Sequence, residues 1–333
     1  FRTKLSENLF EGLSPWMQKL PGGLIHVNVV GCAIFAAISG SSAATVATVG
    51  KMSIPELRKR NYPEKILLGS LAGSGTLGLL IPPSIILIIY GVTVQESIAK
   101  LFIAGIFPGI MIAIIFMTYV VIWSLMNKNK MPVLTEEIPF IEKIKKSGKL
   151  IPVILLIVSV IGSIYSGVAT ATEAASLGVV GALILSFFQK SLTIDSFKKS
   201  LLGATKTSCM IGFILAGSTF LSLAMGFTGL PRNLAIWIDT MELSPYILII
   251  VLMIFYIILG MFLDGISAVV LTMAIIEPMI RQAGFDMVWF GIFLVVVVEM
   301  AQITPPVGFN LFVLQGMAEK DMGYIARSAF PLF

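Results

Sequence analysis

The sequence predicts an all-α polytopic membrane protein built from inverted repeats, each holding a re-entrant helical hairpin and a broken helix. Three observations carry this reading. Of its 333 residues, 57% are hydrophobic and only 12% charged, with a mean hydropathy of +0.97, which is more apolar surface than a soluble core buries. Two long apolar segments are interrupted, one by Ser39-Gly40-Ser41-Ser42 and one by Asp264-Gly265. A shift of 223 positions superposes Pro55 on Pro278, Pro82-Pro83 on Pro305-Pro306, and Phe107-Pro108 on Phe330-Pro331.

Residues 1–23 interleave charges with Leu5, Leu9, Leu13, Trp16, Met17 and Leu20 at helical spacing, the pattern of an amphipathic interfacial helix. Residues 24–126 form the first repeat: a hairpin over 24–52, a broken helix over 66–90 and a transmembrane helix over 101–126. The basic stretch 127–149 reads as a cytoplasmic linker helix. Residues 150–245 hold scaffold helices and the start of the second repeat. The core of that repeat is 246–333, with a hairpin over 246–276 and a broken helix over 288–314. Each hairpin arm falls short of the roughly 20 apolar residues that a bilayer crossing needs, so the pair turns back.

Charge placement tests this topology. If each hairpin returns to its own side, 20 of the 23 Lys and Arg residues share one face, and only Lys100, Arg232 and Arg281 lie opposite. Basic loops mark the cytoplasmic side. The first hairpin then enters from the cytoplasm and the second from outside, which makes the halves inverted. Paired broken helices in inverted repeats point to a secondary transporter with its site near the membrane midplane.

The same placement excludes other classes. The net charge of +5 resides in short loops, which argues against nucleic acid. Cys32 and Cys209 lie within apolar segments and read as small core residues, without disulfide or metal. His26, the only histidine, has no Asp, Glu or Cys nearby in sequence. No nucleophile–base pair or His-Glu-x-x-His pattern is present, and the glycine-rich strings lack a P-loop ending, so neither an enzyme nor an ATPase is expected. Glu173 follows a capping-type Thr and reads as a helix cap. Glu299 lies deep in an apolar run, either as a proton or cation partner or facing a polar cavity.

Two constellations remain. The first joins Ser39, Gly40, Ser41 and Ser42 with Gly73-Ser74-Gly75-Thr76 and Ile81-Pro82-Pro83-Ser84. Freed carbonyls and hydroxyls suit a hard cation, and helix N-termini at the same breaks suit a carboxylate. Close helix packing is the competing reading for Gly69, Ser70, Gly73 and Ser74. The second joins Asp264-Gly265-Ile266-Ser267 with Thr304-Pro305-Pro306-Val307-Gly308-Phe309-Asn310. Here Asp264 is either a ligand or the N-cap of the second arm.

Together these segments resemble a known family. Ile38-Ser39-Gly40-Ser41-Ser42-Ala43, Leu80-Ile81-Pro82-Pro83-Ser84, Tyr90-Gly91-Val92, the stretch from Leu101 to Gly109, Thr172-Glu173-Ala174-Ala175, Gly260-Met261-Phe262-Leu263-Asp264 and the stretch from Thr304 to Phe312 are similar to the large membrane subunit (DctM-like, M subunit) of TRAP, or tripartite ATP-independent periplasmic, transporters. The resemblance implies an elevator-type sodium symporter of the bacterial inner membrane. A periplasmic substrate-binding protein (P) would deliver the cargo, and a small membrane subunit (Q), separate or fused, would complete the scaffold. It further implies family helices before Phe1 and after Phe333.

On this resemblance, sodium falls to Ser39, Gly40, Ser41, Ser42, Gly75, Thr76, Pro82, Asp264, Gly265, Ser267, Thr304 and Pro305. The substrate falls to Ser41, Ser42, Thr45, Pro83, Ser84, Pro306, Gly308 and Asn310. It would be an organic anion such as sialic acid, another sugar acid or a C4-dicarboxylate. The chain departs from many relatives in carrying Thr45 where an Asp often follows the tip, and Ala171 in place of a common Pro. A sodium-coupled dicarboxylate carrier that needs no binding protein and an ion channel are the alternative readings.

Overall fold

A computed structural model describes residues 5–132, 139–229, 233, 236 and 244–333. Among them the first apolar block yields α1 (Leu5–Met17), α2 (Ile25–Ser39), α3 (Ser42–Lys59), α4 (Glu64–Leu80), α5 (Ile85–Thr93) and α6 (Ile98–Met126). The middle holds α7 (Phe140–Ser147), α8 (Ile151–Tyr165), α9 (Ala171–Phe188) and α10 (Ile194–Thr228). The last block holds α11 (Pro245–Gly260), α12 (Gly265–Gln282), α13 (Met287–Gln302), α14 (Phe309–Ala318) and α15 (Met322–Ala329). Among the described residues, six helical stretches are long and apolar enough to cross a membrane by length and composition.

Helix starts follow local chemistry. Ser84, Ser97, Thr170, Thr193, Ser244, Asp264 and Asp286 each accept a backbone N–H from the turn they precede, which satisfies donors that the helix leaves open. Glu173 completes a capping box with Thr170, accepting the Thr170 N–H at 2.8 Å, as the sequence predicts. The link from α2 to α3 is made by Gly40, whose φ of +60° is a left-handed conformation that costs glycine little.

α4 is the axis of the packing. Every residue from Ile66 to Leu80 is buried, and α2, α3, α6, α13, α14 and α15 all contact this helix. Its glycines permit the close approach. A Cβ on Gly69 would collide with the Ser328 carbonyl oxygen, and one on Gly73 would stand 2.9 Å from Leu332. The packing reading of Gly69 and Gly73 is therefore the one the structure adopts.

The two hairpins are placed alike. α2 packs along α4, and α11 along α13; α3 packs on α14, and α12 on α5. The second arm of each hairpin thus lies against the short helix that follows the other Pro-Pro break. Both Pro82-Pro83 and Pro305-Pro306 bonds are cis. The middle helices are peripheral: α8 and α9 pack on one another, while α10 touches α12, where the Ser218 hydroxyl donates to the Val270 carbonyl at 2.6 Å. Phe213, Phe220 and Phe227 of α10 stand exposed.

Some boundaries differ from expectation. The second arm of the first hairpin runs to Lys59 rather than stopping at 52, because Ser53, Ile54 and Leu57 stay buried while charges take the outer face. An apolar-run reading stops where charges begin, although the helix does not. Among its described residues, the linker 127–149 is α-helical over Phe140–Ser147, with 3-10 turns at Lys128–Lys130 and Gly148–Leu150. Residues 133–138 of that linker and Arg232 lie outside the described residues. Cys32 is buried as expected, but Cys209 is exposed, since it sits on α10, which presents most of its length outward.

Replacing Gly69 by Ala is expected to destabilise the protein by about 1–3 kcal/mol, the range for overpacking a filled interior. Thermal melting in detergent reads this directly, and an unchanged midpoint would contradict the close α4–α15 contact.

Candidate functional site

The sequence leaves α2 with no continuation beyond Gly40, so the tip of the first hairpin needs partners for its backbone. It finds one at the first Pro-Pro break. The Ile85 N–H donates to the Gly40 carbonyl at 3.2 Å. A Cβ on Gly40 would stand 2.8 Å from the Pro83 carbonyl oxygen, so glycine is required by space as well as by φ. The second hairpin repeats the arrangement, with the Val307 N–H donating to the Met261 carbonyl at 3.3 Å.

Oxygen atoms converge at the first tip. The Ser39 and Thr45 hydroxyls lie 2.7 Å apart; Thr45 donates to the Ser41 carbonyl at 2.8 Å, and Ser39 approaches the same carbonyl at 3.3 Å. Gly78 of α4 faces this cluster, and a Cβ there would come within 2.6 Å of the Ser41 carbonyl and 2.7 Å of the Thr45 hydroxyl. Three neutral oxygens packed closely against Gly78 form a donor set of the kind that suits a hard monovalent cation. Thr45, which the resemblance gives to substrate, belongs to this oxygen cluster.

The two tips meet through a residue that the sequence reading passed over. Gln302, at the end of α13, is buried and its Oε1 accepts the Ser42 hydroxyl at 2.5 Å. Its amide nitrogen lies toward Gly265, where an added Cβ would stand 3.6 Å away. Gln302 is thus hydrogen-bonded to Ser42 of the first tip and lies close to Gly265 of the second. The available signal was a polar side chain closing an otherwise apolar run, just before Thr304-Pro305-Pro306. One turn earlier on α13, Glu299 is buried too, and its Oε1 has no hydrogen-bond partner.

The tips differ in charge. Asp264 caps α12, its Oδ2 accepting the Ile266 and Ser267 N–H groups at 3.1 and 3.3 Å and its Oδ1 accepting the Ser267 hydroxyl at 2.5 Å. Ser41 precedes α3 without capping it through its side chain. The α3 N-terminus thus keeps amide donors and a positive dipole end that no side chain caps, whereas the matching position in the second tip already holds a carboxylate.

Other predicted residues are not gathered here. Gly75 packs against Val46 and near the Asn310 amide, and Asn310 donates to the Ala72 carbonyl at 3.4 Å, placing both in the α3–α4–α14 packing layer. Thr76 donates to the Gly73 carbonyl within α4 at 2.7 Å, and Thr304, just past α13, donates back to the Met300 carbonyl of that helix at 2.8 Å. Ser84 is committed to α5, accepting the Leu87 N–H at 3.4 Å and donating to the Leu79 carbonyl. Pro82 is buried, whereas Pro305 and Pro306 are exposed. Gly308 takes a φ of +46° ahead of α14.

A double-mutant cycle on Ser42→Ala and Gln302→Ala is expected to show coupling of about 0.5–2 kcal/mol in thermal unfolding, the range for a hydrogen bond between membrane helices. Strict additivity would mean that the tips are not joined. Asp264→Ala should cost about 1 kcal/mol while Asp264→Asn costs much less, because both Asp and Asn cap.

A family model described as "Tripartite ATP-independent periplasmic transporter, DctM component" matches residues 2–333. The chain is 36% identical over 312 residues to the C4-dicarboxylate TRAP transporter large permease protein DctM of Pseudomonas aeruginosa, covering 93% of this chain and 72% of that one. It is 32% identical over 314 residues to the 2,3-diketo-L-gulonate TRAP transporter large permease protein YiaN of Escherichia coli, covering 93% and 73%. With the isethionate TRAP transporter permease protein DctMQ of Oleidesulfovibrio alaskensis it shares 32% over 332 residues, covering 98% of this chain and 52% of that relative. The chain spans about half the length of that last protein.

Proposed function

This chain belongs to the DctM component family of tripartite ATP-independent periplasmic transporters, a family of multi-pass membrane transporters and not of enzymes, and we propose that it imports an organic anion coupled to sodium. The observation that carries the proposal is the meeting of the two tips. One side chain, Gln302, bridges Ser42 and the Gly265 position, next to a cluster of neutral oxygens and an α3 N-terminus that no side chain caps.

In this reading sodium is held by the Ser39 and Thr45 hydroxyls and the Ser41 carbonyl. Cation binding there lowers the cost of bringing a carboxylate to the α3 amides, since the two opposite charges lie within a few ångströms in a poorly hydrated site. Gln302 then senses both tips. The relatives are named for C4-dicarboxylates, 2,3-diketo-L-gulonate and isethionate, all organic acids, which favours recognition of an acid headgroup; a C4-dicarboxylate or a sugar acid, sialic acid included, is the substrate class. Inverted repeats moving as an elevator against α8–α10 complete the proposal, with a periplasmic binding protein as donor, a small subunit separate or fused, and the bacterial inner membrane as location. The name DctMQ supports the fused form in that relative.

Proteoliposomes holding the complete complex provide the test, with labelled succinate and an imposed sodium gradient. Uptake should fall at least tenfold when potassium replaces sodium; full-rate uptake without sodium would sink the proposal. Thr45→Val should raise the sodium concentration for half-maximal uptake by about tenfold, as expected for losing roughly 1.4 kcal/mol of ligand interaction.

A further inference from the structure

Away from the tips, α7 carries a surface that transport leaves unused. At about 100° per residue, Phe140, Ile141 and Ile144 share one arc of this short helix, Lys143 and Lys145 flank it, and Glu142 and Lys146 take the opposite face, where they pair at 2.9 Å. The apolar arc is bare: Ile141 is 81% exposed and Phe140 64%. A soluble surface gains nothing from such an arrangement. A helix lying in a lipid headgroup layer needs this one, with apolar side chains below and lysines reaching outward on both flanks.

The end of α1 holds this helix in place. The Trp16 indole N–H donates to the Ser147 hydroxyl at 2.6 Å, its ring meets Phe140 edge-on at 6.1 Å, and the Lys143 ammonium sits 5.8 Å from the ring centroid. Lys149 pairs with Glu11 of α1. Trp16 and Leu20 are themselves partly exposed beside α7, and tryptophan favours the headgroup level. Lys19 and Lys145 are exposed and have no ion pair among the described residues.

We propose that α7 and the end of α1 form a binding site for anionic phospholipid headgroups. The apolar arc of Phe140, Ile141 and Ile144 enters the acyl boundary, and Lys143 and Lys145 take the phosphate and its unneutralised charge. A zwitterionic lipid offers the same acyl contact with its phosphate already paired, so the charge complement selects against it. This inference does not depend on sodium coupling or on the transported anion.

The test measures phosphatidylglycerol and phosphatidylcholine separately, added to the purified complex in detergent, by native mass spectrometry and by the rise in melting temperature. Phosphatidylglycerol should bind more tightly, and Lys143→Gln/Lys145→Gln should weaken its binding on the order of tenfold or more, while leaving phosphatidylcholine unaffected. Rising salt should erase the preference in the unmodified protein. Equal response to the two lipids, a preference that survives the double substitution, or a patch that proves covered by the small membrane subunit in the complex would each overturn the proposal. Ile141→Ser, with every lysine kept, should weaken both lipids together, which separates the apolar contribution from the charge.

Discussion

A helix broken inside an apolar interior must find partners for the amide and carbonyl groups it sets free, and the rest of this structure depends on that requirement. Each unpaired buried group costs about 1–3 kcal/mol, and lipid offers no replacement. The chain solves the problem by putting its breaks together. The Gly40 carbonyl takes the Ile85 N–H, and the Met261 carbonyl takes the Val307 N–H, so each hairpin tip completes the backbone of the neighbouring broken helix. Neither member of such a pair is satisfied alone, which makes tip and break a single folding unit.

Most of that architecture was legible in the sequence because its signals are coarse and physical. The Ser39–Ser42 and Asp264-Gly265 interruptions mark the tips, the two Pro-Pro pairs mark the breaks, and Thr170 with Glu173 announces a helix start. Spacing says less about which polar atoms meet. Thr76, Thr304 and Ser84 look like ligands in a list of oxygen-bearing residues, yet each turns its hydroxyl back to its own helix or cap. Gln302 escaped notice for the converse reason: its importance lies in a contact 260 positions away, which no local pattern encodes. Gly78 was hidden similarly, since only the folded chain brings the Ser41 carbonyl and Thr45 hydroxyl to its face.

The two tips are alike in shape and unlike in chemistry. One start, that of α12, has its amides neutralised by its own Asp264; the other, that of α3, begins after a serine whose side chain makes no cap. Similar backbone paths can therefore differ in electrostatics, one helix start compensated by its own carboxylate and the other without a side-chain cap. The exposed second Pro-Pro pair and the buried Pro82 extend this difference to the breaks.

The glycines of α4 have a mechanical consequence. Gly69 faces Ser328, Gly73 faces Leu332, Gly75 faces Val46 and Gly78 faces Ser41, so four neighbours interlock with one helix at successive heights and on different sides. A helix keyed in this way can neither rotate nor slip by a residue without collision, because packed interiors resist small deformations. Any displacement of α4 must carry the elements keyed to these glycines, α3 with its tip and α15 with the turn that follows it, along as one block, so that shear is taken up outside that block rather than within it.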